Sequence, residues 1–308
     1  MGVATVPSMG ECEKVEPTIQ RYEERFARVL AHIEANSETA LSVDDLSSIA
    51  AFSRHHFHRQ FSGFLGMSPH RYVQFMRMRR ASWRLAFRTE LSVNEIALAT
   101  GYEGPEAFAR AFRQYAGQSP SDFRTKPDWT EWHSRFRPFM HLRQTTMKSI
   151  AAPGPVRVTT FPATRVALLE HRGNVLRLGD SIRTFIEWRK ANKLPPHLSA
   201  TFNIIHNDPE ETPPDDFRFD LCAATDRPIA PNDAGVREFV IPGGRCALLR
   251  HRGSDDQLGR SIMHLYSSWL PTSGEELRDF PLFMQRVKFF PDVPDGESET
   301  DLYLPLAD

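Results

Sequence analysis

The chain has 308 residues, of which 38 are Lys or Arg and 39 are Asp or Glu, giving a formal net charge of −1. This length predicts two domains, each large enough for its own hydrophobic core. No apolar run approaches the roughly 18 residues that span a bilayer, and the 3 cysteines without CxxC spacing argue against a disulfide framework or a cysteine zinc site. The polar start lacks the regions of a secretory signal, so we expect a cytoplasmic protein without a membrane partner.

The charge is divided unevenly along the chain. Residues 21–126 contain 15 Lys or Arg against 11 Asp or Glu, whereas residues 156–308 contain 18 against 23. A basic half joined to an acidic half suits a nucleic-acid reader coupled to another module. The sequence predicts a flexible leader (1–20), an N-terminal domain (21–126), a linker (127–155) and a C-terminal domain (156–308).

The N-terminal domain is predicted to be all-α. An amphipathic pattern from Arg21 indicates a first helix. Ser42 is the predicted N-cap of a short helix in VDDLSSIAAF, and Ser53 caps a second helix in RHHFHRQFSGFLG. Gly66 ends that helix, and Pro69 starts a long one. A short helix, a tight turn and a second helix with one apolar face resemble a helix-turn-helix.

This unit occurs twice in the chain, about 51 residues apart. The recurring positions are Phe57, Arg59, Phe61, Gly66, Ser68, Pro69 and Tyr72 in the first copy, and Phe108, Arg110, Phe112, Gly117, Ser119, Pro120 and Phe123 in the second. In the second copy Ser92 is the predicted N-cap of VNEIALAT, and Gly101 supplies the positive φ of the turn. Two such units predict a double helix-turn-helix that reads double-stranded DNA.

The outward faces of the two second helices carry the candidate DNA-binding residues, which are Arg54, His55, His58, Arg59, Glu106, Arg110 and Arg113. Arginine can donate a bidentate pair of hydrogen bonds to guanine in the major groove. Because Arg59 and Arg110 occupy matching positions of the repeat, we expect both to anchor base readout. The two histidines and Glu106 would adjust that readout.

Arg54 and Arg113 are predicted to contact phosphate, which adds affinity but no sequence information. Two other interpretations of these side chains stay open. Charges on a helix face can merely solvate it. His55 and His58 lie one turn apart and could share a metal ion, but no third ligand is evident nearby, so no metal site is predicted.

Residues 22–124 resemble the DNA-binding domain of AraC/XylS-type bacterial transcription regulators. The second unit, SVNEIALATGYEGPEAFARAFRQYAGQSPSDFR, carries most of the resemblance. It implies that the two recognition helices enter successive major-groove segments, so that one chain reads about 20 bp. It also implies RNA polymerase as a candidate partner. The His-rich outer face of the first unit departs from the commonest family pattern, which leaves the preferred base at His58 open.

The linker has two parts of different character. Its end, APGP (152–155), is a typical linker signal. Its middle contains Trp129, Trp132, Phe136 and Phe139, and it is too apolar for a free tether. We therefore expect these aromatic residues to pack on one domain or between both.

The C-terminal domain contains a second duplication, with a spacing of 80 residues. FPATRVALLEHRG (161–173) matches IPGGRCALLRHRG (241–253), LGDSI (178–182) matches LGRSI (258–262), and FRFDLC (217–222) corresponds to ETDLYL (299–304). Each copy predicts a strand, a helix and two further strands. Two copies predict an α+β domain with a pseudo-two-fold axis, helices on one sheet face and a groove across the other.

This half resembles the GyrI-like, effector-binding domain found in several bacterial regulators, on the paired HRG turns and the final DLYLPL. The resemblance implies a central groove that binds lipophilic, often cationic, small molecules. Gln285 stands where the family often carries Glu, so a neutral ligand is as consistent as a cation. The candidate ligand-binding residues are Trp188, Phe202, Phe283, Gln285 and Tyr303. Each aromatic residue could instead be plain core.

Signals of catalysis are weak in this sequence. It contains no GxSxG elbow, Walker loop, GxGxxG or HExxH motif, and no cofactor is predicted. His171 and His251 lie in the repeated HRG turns, where shared architecture explains them better than twin active sites. The sequence therefore predicts a transcription regulator, not an enzyme, that responds to a small lipophilic effector.

Two rival functions stay open. One is a constitutive DNA-binding regulator whose C-terminal domain is a protein-interaction platform. The other is a module that sequesters or hydrolyses a small molecule and is fused to a DNA reader.

Overall fold

The computed structural model of the chain describes residues 9–39, 41–147, 154–209, 211–289 and 292–308, with backbone alone at 9–20, 142–147 and 295. The chain divides into two compact units, one formed by 1–77 with 137–152 and the other by 78–136 with 153–308. No helix in the described ranges has the length and apolar character needed to cross a membrane.

The first compact unit is helical. Its elements are α1 (Met9–Ala35), α2 (Val43–Ile49), α3 (Arg54–Leu65) and the start of α4 (Pro69–Phe87). Helix α1 begins at Met9 rather than near Arg21, so residues 9–20 of the predicted leader are helical, and residues 1–8 lie outside the described residues. Phe61 joins these helices, because its ring lies 6.0 Å from Phe26 and 6.1 Å from Tyr72.

The second helix-turn-helix lies in the second compact unit. It follows α4 and consists of α5 (Val93–Ala99) and α6 (Pro105–Ala116), with α7 (Pro120–Thr125) after them. Ser92 and Glu95 form a complete capping box at the start of α5. Gly101 has a φ of 82°, which confirms its predicted role in the turn.

The predicted linker contains a helix, α8 (Trp129–Met147). All four of its expected packing residues are buried: Trp129, Trp132, Phe136 and Phe139. Phe139 stacks on Phe75 in the first unit with a centroid distance of 4.7 Å, and Trp132 stacks on Phe136 in the second at 4.4 Å. Residues 148–153, which include part of the APGP signal, lie outside the described residues.

The C-terminal domain contains one eight-stranded antiparallel sheet in the order β1-β6-β8-β7-β3-β4-β2-β5. Its strands are β1 (Val156–Phe161), β2 (Thr164–Arg172), β3 (Thr201–Ile205), β4 (Arg218–Ala224), β5 (Arg237–Ile241), β6 (Gly244–Arg252), β7 (Phe283–Lys288) and β8 (Glu299–Pro305). Its helices are α9 (Leu178–Ala191), α10 (Leu258–His264) and α11 (Leu270–Ser273).

Each repeat contains one strand more than predicted, because β1 and β5 precede the expected elements. These edge strands pair across the duplication: Phe161 of β1 lies opposite Gly244, and Ile241 of β5 lies opposite Thr164. The pseudo-two-fold axis passes between β3 and β7, where Asn203 lies opposite Met284. The predicted α+β duplication is thus confirmed, with its two copies interlocked.

Helices cover one face of the sheet, as predicted. Phe185 of α9 joins a cluster with Leu169 and Leu221, and Leu258 of α10 joins the corresponding cluster of the second repeat with Leu249. The opposite, helix-free face carries a third cluster: Phe161, Val166, Leu168, Phe202, Ile204, Cys222, Ile241, Cys246, Leu248, Phe283 and Tyr303.

Candidate DNA interface and ligand-binding face

The first helix-turn-helix presents its predicted residues to solvent. Helix α3 buries Phe57, Phe61 and Leu65, and it exposes the four predicted residues Arg54, His55, His58 and Arg59. His55 and Arg59 are four residues apart, which places them one above the other on the outward face. This is the geometry that a recognition helix requires.

The second helix-turn-helix has the same division. Helix α6 buries Phe108 and Phe112, whereas Glu106, Arg110 and Arg113 are exposed. The three exposed residues follow the i, i+4, i+7 spacing of one helical stripe. Each recognition helix therefore combines an aromatic core face with an outward face that carries arginine.

Ion pairing separates the arginines into two kinds. Within the described ranges, neither Arg59 nor Arg110 forms an ion pair with a carboxylate. Arg54, in contrast, lies 3.5 Å from the carboxylate of Asp44, with both side chains about two-thirds exposed. Such an exposed pair contributes little stability, so a phosphate can replace Asp44 at small cost. In the same ranges no group of three or more residues is placed to hold a metal ion.

The helix-free face of the sheet brings together four of the five predicted ligand-binding residues. Phe283 and Tyr303 stack with a centroid distance of 5.0 Å, Phe202 is buried beside them, and half-buried Gln285 lies opposite Phe202 in the strand register. Sequence reasoning missed Phe161, whose ring lies 4.8 Å from Phe283 and 5.0 Å from Tyr303. Phe161 lies in the FPATR segment, and the repetition of this segment in the sequence could have identified it as a candidate.

Trp188 does not join these residues, which corrects the sequence prediction for this residue. It stacks on Phe185 and belongs to the cluster between α9 and the helix-covered face. The physical reason is that α9 packs on one side of the sheet, so its apolar stripe points away from the helix-free side.

A buried carboxylate and an exposed arginine border the aromatic cluster, and sequence reasoning did not find them. Arg250 binds Asp301 in bidentate fashion, with Nε 2.7 Å from Oδ1 and Nη2 2.8 Å from Oδ2. Hydrogen bonding to Asp301 raises the pKa of Arg250. Burial, together with the charge of Asp301, raises the pKa of Tyr303. Asp301 lies opposite Gln285 in the register, so its charge is already neutralised at that end of the face.

Asp220 lies opposite Glu170 in the strand register, as Asp301 lies opposite Arg250. Asp220 is therefore the corresponding carboxylate of the first repeat, and the predicted match of FRFDLC to ETDLYL is one residue out of register. Asp220 is 1% exposed. Its Oδ2 lies 2.8 Å from His206 Nε2 and 3.6 Å from a nitrogen of Arg218. Its Oδ1 has no hydrogen-bond partner among the described residues. Hydrogen bonding is therefore complete at the carboxylate of Asp301, whereas one carboxylate oxygen of Asp220 lacks a partner among the described residues.

The two HRG histidines have a structural arrangement. His171 Nδ1 lies 2.8 Å from Ser181 Oγ, and His251 Nδ1 lies 2.9 Å from Ser261 Oγ. Burial lowers the pKa of His171, which favours the neutral imidazole. Because the same pair occurs in both repeats, it ties each HRG turn to the helix that follows.

Comparison with known families places both halves of the chain. Residues 154–307 match the family described as the GyrI-like small molecule binding domain, and residues 46–126 match a helix-turn-helix domain family. The chain is 38% identical over 153 residues to the protein named "Probable transcriptional regulator YgiV" of Escherichia coli K12, covering 49% of this chain and 96% of that protein.

The DNA-binding half has relatives of its own. The chain is 33% identical over 99 residues to the HTH-type transcriptional activator AarP of Providencia stuartii, covering 32% of this chain and 73% of that protein. Among solved structures, the DNA-binding domain of AdpA in complex with a target DNA is 28% identical with a TM-score of 0.31, covering 33% of this chain and 91% of that one.

Proposed function

This chain belongs to the GyrI-like family and joins that small-molecule-binding domain to an AraC-type helix-turn-helix domain, and from this premise we propose that it is a transcription regulator controlled by a lipophilic effector. The observation that carries the proposal is the pairing of two outward arginine-bearing helix faces with an aromatic cluster on the helix-free face of the sheet.

The DNA-binding role of individual residues follows from their chemistry and exposure. Arg59 and Arg110 are the proposed base readers, because they occupy matching positions of the repeat and their exposed guanidinium groups form no ion pair with a carboxylate within the described ranges. His55, His58 and Glu106 adjust readout from the same faces. Arg54 and Arg113 are the proposed phosphate contacts.

The chemistry of the helix-free face favours a flat, largely apolar effector. Phe202, Phe283 and Tyr303 form a buried aromatic cluster, whose rings would bind apolar rings by dispersion and stacking once a ligand inserts beside them. Gln285 is uncharged, and its neighbour Asp301 is held by Arg250, so this end of the face gives no uncompensated negative charge to a cation. A neutral lipophilic molecule with one polar group therefore fits the residues at this end best.

The setting of this activity is also part of the proposal. We propose that the protein acts in the cytoplasm by changing the access or activity of RNA polymerase at its DNA site. The relative AarP is named a transcriptional activator, which supports an effect on transcription through the polymerase.

The deciding experiment is selection of DNA from random or genomic fragments by the full-length protein at physiological salt. One asymmetric motif of about 20 bp, read on two groove segments, supports the proposal. Binding without a motif that collapses as salt rises would mean phosphate attraction alone. A thermal-shift screen of lipophilic compounds on the same protein, followed by a hydrolysis assay of each hit, tests the effector role and separates binding from chemistry.

A further inference from the structure

Through α9 the C-terminal domain contacts α4, α7 and α8, the helices that flank the second helix-turn-helix, and all the residues concerned belong to the second compact unit. We propose that α9 is a coupling helix, in which Arg183 and Gly179 hold the helices around the second helix-turn-helix against the C-terminal domain. Through this contact, a ligand bound at the helix-free face of the sheet changes DNA binding. The regulatory part rests on the function proposed above, whereas the contact stands independently of it.

Arg183 caps the C-terminal ends of two helices, α7 and α4. Its Nη1 donates to the carbonyl of Thr125 at 2.7 Å, and its Nη2 donates to the carbonyls of Arg124 at 2.7 Å and Ala86 at 3.3 Å. These carbonyls belong to the last turns of α7 and α4, where backbone acceptors have no partner within the helix and the helix dipole is negative. Burial lowers the pKa of Arg183, and the three carbonyls accept hydrogen bonds from its two terminal nitrogens. A cation from one domain thus caps two helices of the other.

Gly179 permits the close approach of α9 that this capping requires. A Cβ at this position would overlap the indole ring of Trp129, so α9 lies directly against that ring. Trp129 is 4% exposed, stacks on Phe87 at 5.7 Å and meets Phe123 edge-on at 5.4 Å. The indole therefore joins α4, α7 and α8 into the surface on which α9 rests.

The duplication supplies an internal comparison, because the second repeat contains the same helix without this role. The counterpart of Gly179 is Gly259, where an added Cβ would meet no atom within 4 Å. The counterpart of Arg183 is Met263, which is 57% exposed. The two repeats share a fold but differ at these positions, which indicates that the helix of the first repeat serves the contact.

Hydrogen bonds and ion pairs flank the contact that Arg183 and Gly179 make. Lys190 Nζ lies 3.0 Å from Thr89 Oγ1 and 3.4 Å from a carboxylate oxygen of Glu90. From the second repeat, Asp256 lies 3.8 Å from Arg79 of α4, with side chains 18% and 6% exposed. Both repeats therefore reach α4, the helix that precedes the second helix-turn-helix.

Packed side chains of α9, β2 and β4 connect the Arg183 contact to the helix-free face of the sheet. Helix α9 packs Phe185 on Leu169 of β2 and Leu221 of β4. The neighbouring residues of those strands, Leu168 and Cys222, point to the opposite face and belong to the aromatic cluster. A ligand that separates or twists these strands would shift α9 and its hold on α4 and α7. Such a shift changes DNA affinity only if ligand binding differs between the two arrangements.

Hydrogen exchange on the full chain tests the contact first. We compare Arg183→Gln with Met263→Gln, and Gly179→Ala with Gly259→Ala, so that each variant has a control at the corresponding position of the other repeat. We expect amides of α7 and of the last turn of α4 to exchange about tenfold faster in the first member of each pair and to stay unchanged in the second. Unchanged exchange in Arg183→Gln would overturn the contact. Arg183→Gln carries the test if Gly179→Ala does not fold.

The regulatory part is tested with the duplex recovered by DNA selection, because coupling between two sites is reciprocal. Saturating duplex should slow exchange of α9 amides in the wild type and in Met263→Gln, and this effect should be absent from Arg183→Gln. If the wild type binds the duplex without any change in α9, the coupling is overturned while the DNA-binding function stands. If selection recovers no duplex, the proposed function fails, and with it the regulatory role, while the first measurement still decides the contact.

Discussion

Ala51 and Gly101 occupy the same turn position in the two helix-turn-helix motifs, and both have a positive φ, 53° for Ala51 and 82° for Gly101. A left-handed conformation costs an alanine roughly 1–2 kcal/mol, whereas glycine adopts it without a Cβ clash. The first motif therefore contains strain that the second motif avoids.

This difference predicts opposite effects of two exchanges. We expect Ala51→Gly to raise the free energy of unfolding by about 0.5–1 kcal/mol, since the removed strain exceeds the entropy that glycine loses on folding. Gly101→Ala should lower it by a similar amount. Urea denaturation followed by circular dichroism measures both, and a lower midpoint for Ala51→Gly would contradict the assignment of strain.

Helix capping predicts a contrast between two serines. Ser92 accepts a hydrogen bond from the backbone N–H of Glu95 at 3.1 Å and completes a capping box, whereas Ser53 makes no side-chain capping hydrogen bond. We therefore expect Ser92→Ala to cost about 1 kcal/mol of unfolding free energy and Ser53→Ala only a few tenths. The same denaturation measurement compares them, and equal losses would show that the capping box contributes nothing specific.

Base readout by Arg110 predicts a specific pattern of DNA binding. Arg110→Ala should cost about 1–3 kcal/mol of binding free energy and relax specificity at one base pair. Arg113→Ala, in contrast, should weaken binding to all sequences alike and reduce the salt slope by about 1. Fluorescence anisotropy with the selected duplex and its single-base variants, at several salt concentrations, distinguishes the two. Equal affinity of Arg110→Ala and wild type for the preferred site would remove Arg110 from the interface.

The neutral side chain at Gln285 predicts how effector preference can be changed. Gln285→Glu adds a carboxylate that Arg250 does not neutralise, so it should shift preference from a neutral lipophilic compound towards a cation of similar shape. Trp188→Phe is the control, because this residue packs on the opposite face of the sheet. Thermal shifts with a matched neutral and cationic compound measure the preference. A shift caused by Trp188→Phe but not by Gln285→Glu would place the ligand elsewhere.

Much of the N-terminal half could be predicted from the sequence because its signals are local. Ser42 and Ser92 cap their helices as predicted, and the predicted outward residues of both recognition helices are exposed. The start of α1 was predicted too late, since the residues before Arg21 lack a clear apolar stripe although their backbone is helical. Hydrogen bonds and periodicity over one or two helical turns determine such features, so they can be read without the fold.

The two duplications, the helix-turn-helix units and the outward side of each recognition helix could all be predicted from the sequence, because these features depend on spacing along the chain. The fold was needed to show that β1 and β5 pair with the other repeat, that Trp188 lies apart from the aromatic cluster, and that Arg183 caps two distant helices. Those features depend on pairing and packing between residues about 35 to 100 positions apart, which no local pattern specifies. Two helices with the same LGxSI start thus acquired different roles through what each one packs against.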